Sequence, residues 1–138
     1  MRKSLEPVLD RVFGDLSAWR IKERWSGVGG TITSLAAGMQ DLSEYVREAV
    51  NGYAIRRELL QGMLEKLDRM GEKGRERHPV FSPRKDTILP GGVILQYLMD
   101  RLDLDAIIAS DMDGLEGYAI SVLFPEGKPE RIRFLMDF

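Results

Sequence analysis

Three glycines in the stretch "SGVGGTITSLAAG", residues 26–38, precede a run typical of a small-residue apolar helix. Gly27, Gly29 and Gly30 allow positive φ angles and let the backbone approach a ligand closely. The start of a helix offers free N–H groups and the positive end of its dipole to an anion. Thr31 could cap that helix or hydrogen-bond a phosphate oxygen. The turn is neither a Walker motif nor a complete GxGxxG, so its spacing alone favours tight strand-to-helix packing over a binding turn.

A second polar cluster, "SDMDGLEG" at residues 110–117, directly follows the apolar run "AIIA". Open α/β sheets place their ligands at the carboxyl ends of strands, which makes Ser110 and Asp111 candidates for contacts with a phosphate or a nucleotide. Asp111 and Asp113 could hold a cation, but their spacing does not fit a calcium loop of the EF-hand type. The residues alone favour a polar turn with aspartate capping.

Basic residues are concentrated in the segment 73–85, which could attract polyanions but is more commonly a solvated connector. They are Lys73, Arg75, Arg77, Arg84 and Lys85. The single histidine, His78, has no serine or acidic partner at a recognisable spacing, which argues against a catalytic triad. We therefore predict no catalytic residue and no metal ligand in this chain.

Composition excludes several classes of protein. The 138 residues fit one domain, 1–138, and a hydrophobic content of 43% with 30% charged residues suffices for one core. A net charge of -2 gives no general attraction to nucleic acid. The absence of cysteine excludes disulfides and thiolate metal sites, and fits a reducing compartment. No apolar run approaches the roughly 20 residues that span a bilayer, so we expect a cytoplasmic protein without membrane contact.

The hydrophobic spacing predicts helices that alternate with short strands, hence an α/β fold, rich in helix, with a small and mostly parallel sheet. The predicted helices cover about 5–16, 30–39, 43–50, 56–70 and 90–102, and a basic connector covers 71–86. Strands are predicted over 21–28 and 105–110, with a C-terminal hairpin within 118–138. So few strands rarely form a self-sufficient sheet, which suggests completion by another chain or membership of a larger unit.

Three segments, in this order, resemble the Ppx/GppA family of exopolyphosphatases and guanosine pentaphosphate phosphohydrolases. They are "GVGGTITSLAA", "VNGYAIRRELLQGMLEKL" and "SPRKDTILPGGVILQYLMDRLDLDAIIASDMDGLEG". The family patterns are "GxGGTxTxLA", "xHGYxLT", "SPxRADxIxxGxxIL" and "VSDxGLREG". The match runs from about Trp25 to Gly117, and it is the order and spacing of the motifs, more than any one of them, that carry the resemblance.

The resemblance implies an actin-like fold in which two ribonuclease-H-like lobes close on a phosphate chain and Mg²⁺. This chain would correspond to the later part of the second lobe. The "GGT" turn of that fold lies beside the phosphate chain or nucleotide, which reverses the preference for packing at Gly29, Gly30 and Thr31. Arg84 falls in the segment "RKD" that replaces the family's "RAD". Polyphosphate or a guanosine nucleotide is the expected ligand, and Mg²⁺ is expected only for the complete family enzyme.

Departures from the family pattern predict that the chain alone is inactive. The two phosphate loops and the catalytic glutamate of the family have no counterpart, since only 25 residues precede Ser26. The chain would then be a fragment or a stand-alone remnant of an exopolyphosphatase or guanosine pentaphosphate phosphohydrolase, and self-association or a partner chain would complete the site. The alternatives are a regulatory module that binds a nucleotide or polyphosphate, and an interaction domain without a ligand. Smaller departures are Asn51 for the family's histidine and "GLEG", residues 114–117, for "GLREG". The predicted hairpin in 118–138 also departs from the family, which continues as a helix.

Overall fold

The computed structural model describes residues 2–14 and 25–123, and these form six α-helices and three short β-strands. In chain order the elements are α1 Arg2–Phe13, β1 Ser26–Val28, α2 Gly30–Met39, α3 Arg47–Val50, β2 Ala54–Arg56, α4 Arg57–Arg77, a 3₁₀ turn Ser82–Arg84, α5 Ile88–Leu102, β3 Ala106–Ser110 and α6 Gly114–Leu123. The helix-rich α/β class predicted from the sequence is confirmed. The predicted strand residues 21–24 lie outside the described part, and β1 begins just after them.

The sheet has the strand order β1-β3-β2, with β3 in the centre. β1 pairs with β3 in parallel, Gly27 opposite Ala109, whereas β2 pairs with β3 antiparallel, Ile55 opposite Ile107. The sheet is therefore mixed, with one parallel and one antiparallel pair of strands, and the prediction that it would be mostly parallel was wrong. β2 had not been predicted at all, since three residues are too few to establish a period of two.

The core lies between the sheet and the three helices α2, α4 and α5. Small residues allow these helices to approach closely: a β-carbon at Gly91 would meet the side chain of Thr31, and one at Gly92 would overlap Leu64. Helix α2 contributes a fully buried run of small and apolar residues to this core, Leu35, Ala36 and Ala37. The start of α2 thus packs closely on α5 through Thr31 and Gly91.

Helix α4 continues beyond the predicted end at Met70 but is interrupted at Gly71, whose φ of 63° and ψ of 177° are not helical. Only glycine adopts this conformation readily. Residues 72–77 resume the helix, so the predicted connector 71–86 is wrong for its first half. Its second half contains the 3₁₀ turn that ends at Arg84.

Residues 118–123 are helical, so the prediction of a hairpin strand there was wrong; the second predicted strand, 130–138, lies outside the described residues. The physical reason is a capping box. The Asp113 carboxylate accepts hydrogen bonds from the N–H groups of Leu115 (2.8 Å) and Glu116 (3.2 Å), and the Glu116 carboxylate accepts one from Asp113 N–H (3.1 Å). These contacts satisfy backbone N–H groups that have no partner within the first turn of a helix.

Among the described residues, no helix is long and apolar enough to cross a bilayer.

Replacing Asp113 with alanine is expected to fray α6, because a lost cap costs about 1 kcal/mol. Amide hydrogen exchange at residues 115–120 should accelerate by about fivefold where exchange proceeds through local opening. Asp113→Asn is the matched control, because asparagine caps a helix as well as aspartate does. Equal acceleration in both variants would show that charge, and not the cap, holds the helix.

Candidate functional site

The turn between β1 and α2 combines a glycine of positive φ with an uncapped helix start. Gly29 has φ 90° and ψ 163°, a conformation that side chains with a β-carbon rarely adopt. Its carbonyl oxygen accepts the first helical hydrogen bond, from Thr33 N–H at 3.1 Å. Among the described residues, no side chain caps the helix, so the predicted capping role of Thr31 was wrong. The N-terminal N–H groups of α2 consequently have no side-chain acceptor that would compete with a ligand.

Arg84 lies directly over this helix start. A β-carbon at Gly30 would overlap the guanidinium of Arg84, so the side chain rests on the bare glycine backbone. The 3₁₀ turn Ser82–Arg84 positions this arginine, which is exposed. Within the described part of the chain, its guanidinium has neither a carboxylate partner nor a hydrogen-bond acceptor. The arginine therefore retains its donors for an external anion.

A cavity of about 390 Å³ adjoins the turn, a size in the usual range for small-molecule sites. It unites four residues that were predicted separately from the sequence: Gly29, Gly30, Arg84 and Asp111. They come from the β1–α2 turn, the 3₁₀ turn and the end of β3, which are far apart in the chain. The other lining residues are Thr33, Ser34, Tyr45, Pro79, Val80, Pro83, Met112 and Asp113.

The lining of the cavity combines a cationic part with an apolar part, here called the apolar wall. Gly29, Gly30 and Arg84 supply backbone N–H groups and a positive charge, with the hydroxyl residues of α2 beside them. Pro79, Val80, Pro83, Tyr45 and Met112 supply apolar surface. Such a lining could take a ligand that carries both an anionic group and a flat or apolar group.

The acidic residues of the cavity are engaged in structural contacts. Arg47 Nε lies 3.1 Å from the Asp111 carboxylate, and Arg47 Nη2 lies 2.7 Å from Glu116 Oε1. Hydrogen bonding from Arg47 lowers the pKa of Glu116, and the Asp113 N–H contributes to the same shift. The backbone N–H of Asp111 donates to Asn51 Oδ1 at 3.3 Å. Asn51, at the position of the histidine in the family pattern, thus holds the backbone just after β3 through this hydrogen bond.

Tyr45 lies at the apolar wall and remains a hydrogen-bond donor at neutral pH. Burial raises the pKa of its phenol, and the Asp111 carboxylate raises it further. A neutral hydroxyl beside a cavity that admits anions causes no repulsion.

Three of the predicted binding residues do not line the cavity. Gly27 packs in the sheet, where a β-carbon would lie 2.9 Å from Ile107 Cδ1. Thr31 packs against Gly91 of α5. The Ser110 hydroxyl accepts a hydrogen bond from Met112 N–H at 3.2 Å. The glycine turn therefore divides its roles: Gly27 and Thr31 pack the strand and helix together, and Gly29 and Gly30 border the cavity.

Sequence reasoning missed Tyr45 and the two prolines of the cavity wall. Tyr45 lies in a polar segment without periodicity, which gives no signal of a site. Pro79 and Pro83 flank the buried pair Val80 and Phe81. An apolar pair between two prolines indicates a fixed, packed loop, and this pattern could have pointed to the cavity wall from the sequence.

The described residues do not by themselves fit the Mg²⁺ that the family resemblance implies. No group of three histidine, aspartate or glutamate side chains among them converges on one point. Asp113 uses its carboxylate to cap α6, and Asp111 is paired with Arg47.

Comparison with known proteins supports the assignment suggested by the motifs. No family model matches the chain. It is 28% identical over 127 residues to exopolyphosphatase 2 of Mycobacterium tuberculosis, from strain CDC 1551 / Oshkosh and from strain H37Rv, covering 88% of this chain and 38% of each relative. The crystal structure of the Aquifex aeolicus Ppx/GppA family member superimposes with a TM-score of 0.76 at 21% identity, over 93% of this chain and 43% of that one.

The chain is therefore similar, in sequence and in fold, to part of the Ppx/GppA proteins. The structure of an exopolyphosphatase-like protein agrees, with a TM-score of 0.71 at 24% identity over 88% of this chain. The actin-like fold that the motifs implied is thereby confirmed. The chain spans about two fifths of the length of the Ppx/GppA proteins it matches, so it accounts for only part of their fold.

Proposed function

We propose that this chain supplies a phosphate-binding wall of a Ppx/GppA-type phosphoanhydride hydrolase. Its ligand would be the terminal phosphates of polyphosphate or of a guanosine polyphosphate. The observation that carries the proposal is the position of Arg84, a cation over the bare backbone of Gly30 at the start of α2.

Two independent sources of positive potential support this choice of ligand. The helix dipole and the free N–H groups of α2 favour an anion at Gly29 and Gly30. The guanidinium fork of Arg84 suits the geometry of phosphate oxygens. Arg47 pairs with Asp111, which lines the cavity, and this pairing reduces repulsion of an incoming anion.

We also propose that the chain binds without hydrolysing. Hydrolysis requires a group that orients or activates water. Both carboxylates that line the cavity are committed, Asp111 to Arg47 and Asp113 to the start of α6. A second chain or further sequence would have to supply the water-activating group, as the family resemblance implies.

Of these two ligands, the apolar wall favours the guanosine polyphosphate. Inorganic polyphosphate has no group that gains from contact with Pro79, Val80 and Tyr45, whereas a nucleobase stacks on such surfaces. Comparison of GTP with tripolyphosphate tests this candidate, because both carry three phosphates in a row. Tighter binding of GTP supports the nucleoside, and equal binding supports polyphosphate.

Isothermal titration of the chain with tripolyphosphate tests the proposed function directly. Arg84→Ala is expected to weaken binding by about tenfold, since a charged hydrogen bond contributes about 1.5 kcal/mol or more. Arg69→Ala is the matched control, because Arg69 is an exposed cation on α4 that does not line the cavity. It should leave the affinity within about twofold.

Two outcomes would contradict the proposal. If Arg84→Ala bound as tightly as the parent chain, the anion would lie elsewhere. Release of phosphate from tripolyphosphate by the chain alone, at a rate above that of buffer, would refute binding without hydrolysis.

A further inference from the structure

The interruption of α4 at Gly71 leaves carbonyl oxygens at the end of its first half without helical donors. Arg75, in the half that follows, folds back to one of them. Its Nη1 donates to the carbonyl oxygen of Leu67 at 2.8 Å. The sequence placed Arg75 in a solvated basic connector, but its side chain is partly buried and bonded to the backbone.

The same guanidinium also holds the turn that carries Arg84. Arg75 Nε donates to the carbonyl oxygen of Lys85 at 2.7 Å. The side chain of Lys85 also contacts this half of the helix, because its Nζ lies 2.6 Å from Glu76 Oε1. Lys85 Nζ also lies 3.9 Å from Glu72 Oε1, so three contacts join the second half of α4 to the residue directly after Arg84.

On its other side the turn is anchored in the core. Phe81 is fully buried, and its ring occupies space that a β-carbon at Gly38 would need. Arg84 N–H donates to the Phe81 carbonyl oxygen at 2.9 Å. Arg84 thus lies between a fixed aromatic anchor and the backbone clamp of Arg75.

We propose that Arg75 is a positioning residue, which holds the backbone at 84–85 so that the Arg84 guanidinium stays over Gly30. The expected effect of Arg75 on phosphate binding rests on the proposed function. Arg75 itself does not line the cavity and would not touch the ligand. Its influence on affinity must therefore pass through Arg84.

A double-mutant cycle with tripolyphosphate as the probe tests this dependence. Arg75→Met should weaken binding by about three- to tenfold in the parent chain, but by less than about 1.5-fold in the Arg84→Ala background. Arg75→Lys should resemble Arg75→Met, because lysine keeps the charge but not the fork that reaches two carbonyl oxygens. Arg77→Met, an exposed change on the same helix half, should leave the affinity within about 1.5-fold. All titrations belong at a temperature where circular dichroism shows every variant folded.

Equal losses from Arg75→Met in both backgrounds would overturn the proposal, because Arg75 would then act on binding without Arg84. No loss in the parent chain would overturn it as well.

A second measurement separates failure of this inference from failure of the proposed function. NMR relaxation of the Arg84 Nε–H group, recorded without any ligand, should show greater motion in Arg75→Met than in Arg77→Met. If the parent chain binds no tripolyphosphate but this difference is present, the proposed function fails and the positioning role stands. If Arg84 is equally mobile in all variants, the positioning role fails whatever the chain binds.

Discussion

Replacing Gly30 with alanine is expected to weaken tripolyphosphate binding by about 10- to 100-fold without lowering the stability of the fold. The added methyl group would overlap the guanidinium of Arg84 and displace it from the start of α2. It would also stand between a phosphate and the backbone N–H groups. Stability should be kept, because the atoms displaced belong to the end of a flexible, exposed side chain. Alanine, moreover, favours helix over glycine by up to about 1 kcal/mol.

Isothermal titration and thermal unfolding of the same samples measure the two halves of this prediction. Gly62→Ala is the matched control, since Gly62 lies in α4 with open space around its Cα and away from the cavity. It should stabilise the chain slightly and leave the affinity unchanged. A Gly30→Ala variant that binds like the parent chain would show that neither Arg84 nor the helix start contacts the anion. A large loss of stability would show that Gly30 serves packing, as the spacing of the glycines alone suggested.

The glycine turn illustrates how far the sequence leads towards the site. Glycine at positions 29 and 30 predicts a backbone that can approach a ligand, and the order of the motifs resembles the Ppx/GppA family, which implies a turn that faces phosphate. Both statements concern local sequence. Neither one indicates that Arg84, more than 50 residues later, lies on Gly30. That contact depends on the packing of Phe81 into α2, which is a property of the assembled core.

The C-terminal part of the described chain shows the opposite case, where local sequence contained the answer and a competing pattern obscured it. "YAISVLF" alternates in a way that is typical of a strand. Asp113 and Glu116, however, have the spacing of a capping box, and their hydrogen bonds commit the chain to a helix before the alternating residues begin. Helix α6 then leaves large apolar side chains exposed, with Leu115 at 78% and Tyr118 at 70%. The helical conformation of α6 is therefore explained by its capping hydrogen bonds and not by burial of its apolar side chains.

Replacing Phe81 with alanine is expected to have the largest effect on stability, a loss of about 3–5 kcal/mol in the free energy of unfolding. Phe81 is fully buried, its ring stacks on His78 with centroids 4.1 Å apart, and it fills the gap over Gly38. Urea denaturation followed by circular dichroism measures the loss. Val12→Ala, at a side chain that is 67% exposed on α1, is the control and should change stability by less than about 0.5 kcal/mol.

Gly38→Ala tests the same contact from the other side. The added methyl group would overlap the Phe81 ring, which cannot move freely because it is buried, and overpacking of this kind costs about 1–3 kcal/mol. Since leucine lacks the far end of the ring, Gly38→Ala should cost less in a Phe81→Leu background. The two changes would then be non-additive by about 1 kcal/mol. Additive losses would mean that the two residues do not form one contact. In that case Phe81 could not be the anchor that holds the turn of Arg84 against α2.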